Sequence, residues 1–124
     1  MIHYVNVSGE IVNRKVKINL AKVYDHIGLV KIVFPKFTVD APYICVEIQV
    51  DEIDKTYENR HRVLSRLYFD NKEDKYFYKY ETNHIQWQKL DSQRKEVNLT
   101  FASLCDEQIE FQDYQTINIT LALL

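Results

Sequence analysis

The sequence of 124 residues predicts an all-β protein, a single-domain antiparallel β-sandwich of the jelly-roll type that spans residues 1–124. The segment 117–123 (INITLAL) alternates large apolar residues with polar or small ones, which is the period of a strand with one face on a core. The segment 97–101 (VNLTF) alternates in the same way. About eight to ten such segments occur at short spacing, and no segment has convincing helical spacing, so a sandwich is favoured over an open sheet.

The strand boundaries follow from turn residues and from changes of pattern along the chain. We expect Ser8-Gly9 to turn the first strand, Pro35 to end the third, and the polar segment 51–62 (DEIDKTYENRHR) to form a loop with at most one helical turn. The predicted strands are 1–7, 11–23, 28–35, 43–50, 63–69, 75–80, 85–90, 97–104, 108–111 and 116–123. The side chains expected to point into one continuous core are Val16, Ile18, Leu20, Val30, Ile32, Ile44, Val46, Ile48, Trp87, Val97, Leu99, Phe101, Ile119 and Leu121.

Composition restricts the class of protein. Apolar residues make up 46% of the chain, which is enough to build a core. The formal net charge of −2 argues against a nucleic-acid partner, because binding through phosphates normally requires an excess of basic residues. The basic cluster between Arg60 and Arg66 follows an acidic stretch, and a solvated loop is the favoured interpretation of it.

The sequence predicts neither a signal peptide nor a membrane span. Its N-terminus, MIHYVNVSGE, lacks the basic start, apolar run and cleavage site of a signal peptide, and no segment approaches the roughly 18 apolar residues of a membrane span. Cys45 and Cys105 both lie beside apolar residues and are interpreted as small buried hydrophobic residues with free thiols. We expect a protein that folds in a reducing cytosol, is not secreted and has no membrane partner.

Residues that carry reactive chemistry are scattered along the chain. His3, His26, His61 and His84 occur singly, without the spacing of a metal site. No serine has a Gly-x-Ser-x-Gly context, and two isolated glycines cannot form a phosphate-binding loop. We therefore expect no catalytic residue, no metal and no cofactor, and an enzyme is the weakest of the function classes.

Three tyrosines follow one face of the predicted strand 75–80. Tyr76, Tyr78 and Tyr80 share that face, and Phe77 lies on the other. Such a face can stack sugars or bases, but a half-buried position under a loop or in a subunit interface is favoured. Tyrosine and arginine are enriched at the centres of interfaces, and the candidate interface residues are therefore Tyr57, Arg60, Arg62, Tyr76, Tyr78 and Tyr80.

Several segments resemble capsid proteins of adenovirus-like mobile DNA elements, a group that includes polinton-like viruses, adintoviruses and virophages. The segment 28–35 (GLVKIVFP) is similar to the "vGL-x-x-[IV]-x-[FY]-P" element of that group. The segments that follow the order of its C-terminal strands are 97–101 (VNLTF), Asp106, 109–111 (IEF) and 117–121 (INITL). The turn after Asp106 carries Glu107-Gln108 where that group commonly has a glycine.

The resemblance implies a function in assembly. Because those capsid proteins are usually longer, it implies a single jelly roll that serves as a minor capsid or vertex (penton-like) subunit. The implied partners are further copies of the chain, in a pentamer or trimer, and other capsid proteins; the implied location is the virion, assembled in the host cytoplasm or nucleus. A second hypothesis is a lectin-like or adaptor module that holds a small ligand or carbohydrate with the tyrosine face or the loop 51–62. A small hydrolase or cupin-type enzyme is the third.

Overall fold

The structure, a computed structural model, describes residues 1–35, 42–70, 77–91, 93–104 and 115–124. Its regular elements are nine strands: β1 (His3–Glu10), β2 (Lys15–Asn19), β3 (His26–Pro35), β4 (Tyr43–Val50), β5 (Val63–Asp70), β6 (Phe77–Glu81), β7 (Gln88–Lys89), β8 (Glu96–Ser103) and β9 (Thr116–Leu123). No helix among the described residues is long and apolar enough to cross a membrane.

The strands form two antiparallel sheets that pack against each other. The first sheet has the order β1-β9-β3-β6, with the short β7 also paired to β3, and the second has the order β2-β8-β4-β5. The pairs are nested along the chain, since β1 pairs with β9, β2 with β8, β3 with β6 and β4 with β5. A long antiparallel ribbon that is rolled up gives this order, which is that of an eight-stranded jelly roll. The predicted all-β sandwich is confirmed.

A two-residue turn joins the first strands of the two sheets. Asn13 and Arg14 have φ values of 52° and 62°, and Val12 and Lys15 exchange two backbone hydrogen bonds of 2.9 and 3.0 Å across them. Positive φ at both central residues defines the type I′ turn that fits the twist of a hairpin. The predicted strand 11–23 is therefore wrong, because this turn breaks it and β2 spans only Lys15–Asn19.

The predicted turn at Ser8-Gly9 is also wrong, because β1 continues through both residues to Glu10. Gly9 instead permits a close approach between the sheets. A Cβ atom added to Gly9 would lie 2.7 Å from Cγ1 of Val16 on β2, which is closer than carbon atoms pack. The glycine allows β1 and β2 to meet at the corner of the sandwich.

The core lies between the two sheets and is filled by apolar side chains from both. Four aromatic rings connect the sheets: Phe34 packs edge-on against Phe101 and Phe69, at centroid distances of 5.5 and 6.2 Å, and Phe69 packs against Tyr78 at 5.6 Å. Phe34 and Tyr78 belong to the first sheet, and Phe69 and Phe101 to the second. Twelve of the fourteen predicted core residues are buried, and the two exceptions are Val30 and Trp87, both of which are half-buried.

A β-bulge explains why the prediction for Val30 is wrong. The pairing of β3 with β9 shifts between Leu29 and Lys31, so Val30 is the extra residue and its side chain leaves the core face. Leu29 takes the core position before the bulge, and Ile32 takes the next one after it.

The predicted strand 85–90 is mostly irregular, with only the two residues of β7 paired as a strand. Ile85 lies against Gly28 on β3, since a Cβ atom at Gly28 would be 2.2 Å from Cγ2 of Ile85. Ala122, the β9 partner of Gly28, is buried although its neighbours Leu121 and Leu123 point into the core. Two small residues on adjacent strands thus leave room for the segment that contains Ile85. The predicted strand 108–111 lies outside the described residues.

Candidate interaction surface at one end of the sandwich

Three connections meet at one end of the sandwich, because successive connections in an antiparallel fold alternate between its two ends. They are the β2–β3 loop (20–25), the β4–β5 loop (51–62) and the connection from β6 through β7 to β8, and together they are called the loop end. Backbone hydrogen bonds join all three: Asp54 N donates to Lys89 O at 2.8 Å, and Leu90 N donates to Asp25 O at 2.8 Å.

The β4–β5 loop has the irregular structure that the sequence predicts, and Asn59 organises it. The Asn59 side chain accepts a hydrogen bond from Val63 N at 2.8 Å, and its amide donates to Val63 O at 3.1 Å and to Gln88 Oε1 at 2.9 Å. The turn before it is closed by Asn59 N, which donates to Oγ1 of Thr56 at 3.1 Å. Asn59 therefore fixes the loop to β5 and to β7.

Arg62 stabilises the same loop from its other end. Its Nε donates to Ile53 O at 3.1 Å, its backbone carbonyl accepts from Val50 N at 2.9 Å, and its φ is 54°. A positive φ in a non-glycine residue is held only where the surroundings determine it. The Arg62 side chain, predicted to be at an interface, is half-buried and binds the loop backbone instead.

An open groove of about 770 Å³ lies beside this loop. Its lining includes Tyr57, Arg60, Arg66, Tyr80, Gln86 and Gln88. Tyr57 is 98% exposed, and Tyr80 is half-buried with part of its ring on the core. The groove therefore combines an aromatic ring, amide groups and guanidinium groups, which can stack against and hydrogen-bond to a partner.

The two arginines of the groove differ in their surroundings. Nε of Arg66 lies 3.0 Å from Oε2 of Glu47, a buried carboxylate that also accepts a hydrogen bond from Gln49 Nε2 at 2.7 Å. Arg60 is exposed, and within the described residues no carboxylate lies at ion-pair distance from it. Of these two arginines, Arg60 is the one whose charge is not paired with a carboxylate of the described residues.

A second, smaller cleft of about 310 Å³ at the loop end is lined by three carboxylates, one amide and one guanidinium, from Asp51, Glu52, Asp91, Asn98 and Arg94. Glu52 in this lining is only 5% exposed and accepts hydrogen bonds from the backbone N and from Nδ2 of Asn98. Burial raises the pKa of the Glu52 carboxyl above its ordinary value, while the hydrogen bonds from Asn98 act in the opposite direction. In the part of the chain that the structure describes, no cluster of His, Cys, Asp or Glu is arranged to hold a metal ion.

The structure brings three of the six predicted interface residues together in the groove and places two others, Arg62 and Tyr78, outside its lining. Tyr57, Arg60 and Tyr80 line the groove. Tyr78 is only 2% exposed and belongs to the core, so its prediction as an interface residue is wrong. The alternation along the strand was correct, but the face that carries Tyr78 points inward, and Phe77 is the residue exposed on the outer face. Tyr76 lies outside the described residues.

Neither the burial of the Glu47 and Glu52 carboxylates nor the role of Asn59 is predicted from the sequence. Glu47 interrupts the apolar run of β4, a position that signals a paired buried charge, but its partner Arg66 is on another strand. Cys45, predicted to be buried, is half-buried, and Cys105 lies outside the described residues. No protein-family model matches the chain, and no curated protein matches it.

Proposed function

We propose that this chain is a structural subunit of a virus particle, a minor capsid or vertex subunit with a single jelly roll that acts through protein–protein assembly. The observation that carries the proposal is the strand order, in which nested pairs form two antiparallel sheets. Viral capsid proteins use this fold, as do lectin domains and cupins. The interior and the surface of this chain favour the first of these classes.

The interior favours a protein that acts through its outer surface. Apolar side chains from both sheets fill the space between them, and they include the four packed rings around Phe34. Both clefts described above lie at the surface of the loop end. A jelly roll with a filled interior offers partners its ends, faces and strand edges, which are the surfaces used in assembly.

The groove of the loop end is the proposed assembly surface. The Tyr57 side chain is almost fully exposed, although burial of a tyrosine against a partner is favourable. Arg60 lies in the same lining, and tyrosine and arginine are the types that contribute most at interface centres. A stable contact buries about 800 Å² per partner, so further residues around the groove would be covered with them.

The second candidate is a module that binds a small ligand or carbohydrate. The observation that favours it is the composition of the groove, where Tyr57 and Tyr80 lie with the amides of Gln86 and Gln88 and with Arg60. Rings that stack and amides that hydrogen-bond suit the alternating apolar and hydroxyl surfaces of a sugar.

The two candidates are separated by oligomeric state and by incorporation into particles. Tyr57→Ala and Arg60→Ala are expected to weaken a pentamer or trimer in sedimentation and to lower incorporation into particles, with thermal unfolding unchanged. Tyr68→Ala is the matched control, since Tyr68 is 69% exposed but lies on the outer face of the second sheet, outside the groove. A protein that stays monomeric at high concentration, is absent from particles and retains a glycan through Tyr57 would refute the capsid proposal and support the second candidate.

A further inference from the structure

Four of the described strands with five or more residues lie at sheet edges, and β1 differs from the other three. The edges of the two sheets are β1, β6, β2 and β5. Charged side chains discourage a strand edge from pairing with another chain, and the last three strands carry them at Lys79, Lys15, Lys17 and Arg66. The eight residues of β1 contain no lysine, arginine, aspartate or proline, and their single acidic residue, Glu10, is the last one.

The hydrogen-bonding groups on the free edge of β1 can be assigned from its pairing with β9. Ile11 N donates to Gln115 O at 2.9 Å, in the same register that pairs Gly9 with Ile117. Hydrogen-bonded and non-bonded pairs alternate along an antiparallel ladder. Residues with odd numbers in β1 therefore bond to β9, and the backbone groups of Tyr4, Asn6 and Ser8 point away from it.

The hydrogen bonds of β9 to its other neighbour agree with this assignment. Leu124 and His26 exchange two backbone hydrogen bonds of 3.1 and 3.0 Å. Residues with even numbers in β9 therefore face β3, and those with odd numbers face β1. Within the described residues, no strand pairs with the outer edge of β1.

We propose that β1 is a strand-addition site whose partner is β1 of a second copy of this chain, paired antiparallel across a two-fold axis. The first sheets of the two copies then join into one continuous sheet. Each copy supplies the outward N–H and C=O groups of Tyr4, Asn6 and Ser8, so donors and acceptors are matched in number. A two-fold contact of this kind is self-complementary by construction.

The side chains of β1 identify the second copy as the partner. With the two-fold axis at Asn6, Tyr4 lies opposite Ser8 of the second copy, and Asn6 lies opposite Asn6. Val5 then lies opposite Val7, and both are only partly buried against the core in one copy. These opposed pairs contain no charge, whereas like charges placed opposite each other destabilise a strand pair. Each half-covered valine gains an apolar neighbour.

This inference does not depend on the capsid proposal, because it concerns a strand edge and not the groove of the loop end. It is tested with the purified chain alone, by sedimentation from dilute to concentrated solution. The wild type is expected to form a dimer that dissociates on dilution.

Two variants of Asn6 should each weaken the dimer about tenfold or more, which corresponds to about 1.4 kcal/mol. Asn6→Pro removes an outward N–H and no backbone hydrogen bond to β9, which is the placement that an edge strand tolerates. Both Asn6 variants also lose the exposed hydrogen bond of 3.4 Å that Thr120 Oγ1 donates to Asn6 Oδ1. Asn6→Lys opposes two like charges across the two-fold axis. The matched control is Thr116→Lys, which puts the same charge on the exposed face of β9, one strand away from the edge. Thermal unfolding of each variant shows whether it is folded.

Amide hydrogen exchange distinguishes loss of the dimer from a change in the fold of a single copy. In the dimer, the amides of Tyr4, Asn6 and Ser8 should exchange slowly, and on dilution or in Asn6→Lys they should exchange fast. The amides of Val5 and Val7 should stay protected in every case. Fast exchange at the three outward amides at all concentrations, or an oligomer that both Asn6 variants leave unchanged, overturns the inference. If particles form while the three outward amides still exchange fast, only this inference is refuted. If the chain forms a β1 dimer but is never incorporated into particles, only the capsid proposal is refuted.

Discussion

Replacement of Tyr78 by alanine tests where the tyrosine face of β6 points. The ring is 2% exposed and packs against Phe69 at a centroid distance of 5.6 Å, with the two planes tilted by 54°. Removal of a buried aromatic ring costs about 3–5 kcal/mol through lost burial and the cavity that remains. Because Phe69 also contacts Phe34, the cavity would open at the end of the row of rings that joins the two sheets.

The magnitude is large compared with the stability of a domain of this size. Native domains have a free energy of unfolding of about 5–15 kcal/mol, so Tyr78→Ala should remove a large share of the stability of this domain. At about 4 °C per kcal/mol, the melting temperature should fall by roughly 12–20 °C. Tyr78→Phe keeps the ring and should retain most of the stability.

Urea unfolding followed by the fluorescence of Trp87 measures the effect, with an unchanged denaturant slope as the sign of an unchanged unfolding reaction. Tyr57→Ala is the matched control, because Tyr57 is 98% exposed and its loss should change the free energy of unfolding by no more than about 0.5 kcal/mol. If Tyr78→Ala stayed within about 0.5 kcal/mol of the wild type, the assignment of this face to the core would be refuted.

Three further predictions follow from buried groups. Leu99→Ala should cost about 2–5 kcal/mol in urea unfolding, because this side chain is fully buried in the core, and a near-zero cost would place it in solvent. Gly28→Ala should lower the free energy of unfolding by about 1–3 kcal/mol, because the added Cβ would lie 2.2 Å from Cγ2 of Ile85. The double variant with Ile85→Ala should recover part of that loss, and strictly additive losses would contradict the contact. The raised pKa of Glu52 means that its carboxyl group binds a proton more tightly in the folded state than in the unfolded chain. Its contribution to the free energy of unfolding is therefore fully present below about pH 4.5 and is lost as the pH rises through the folded-state pKa. The wild type should therefore lose stability relative to Glu52→Gln between about pH 4 and pH 7 in paired urea melts, and a difference that is flat or rises with pH would contradict the sign.

Some parts of this β-protein are specified by its local sequence. Strand β9 was predicted with its exact bounds, because strict alternation has a period that only a strand satisfies. Alternation was also correct in β6, but Tyr78, a predicted interface residue, is buried in the core. Tyr78 and Phe77 are both aromatic, and the pattern of the strand alone does not distinguish which of two large apolar faces meets the opposite sheet.

The candidate site was predictable only in its residue types. Tyr57 and Arg60 were identified because their types are common at interfaces, but Arg62 was placed with them although it binds Ile53 O within the loop. Nothing in the local sequence distinguishes the two arginines. The difference depends on the positive φ of Arg62 and on the hydrogen bonds that Asn59 makes across the loop.

The sequence by itself determined the class of fold and most of the core, since the two-residue period and the apolar residues on it are local properties of the chain. The tertiary structure alone decided the order of strands, the bulge at Val30, the turn at Asn13-Arg14 and the inward position of Tyr78. These features depend on contacts between residues far apart in the chain. A two-residue period indicates that a strand has two different faces. Only packing against the other sheet decides which of the two faces is buried.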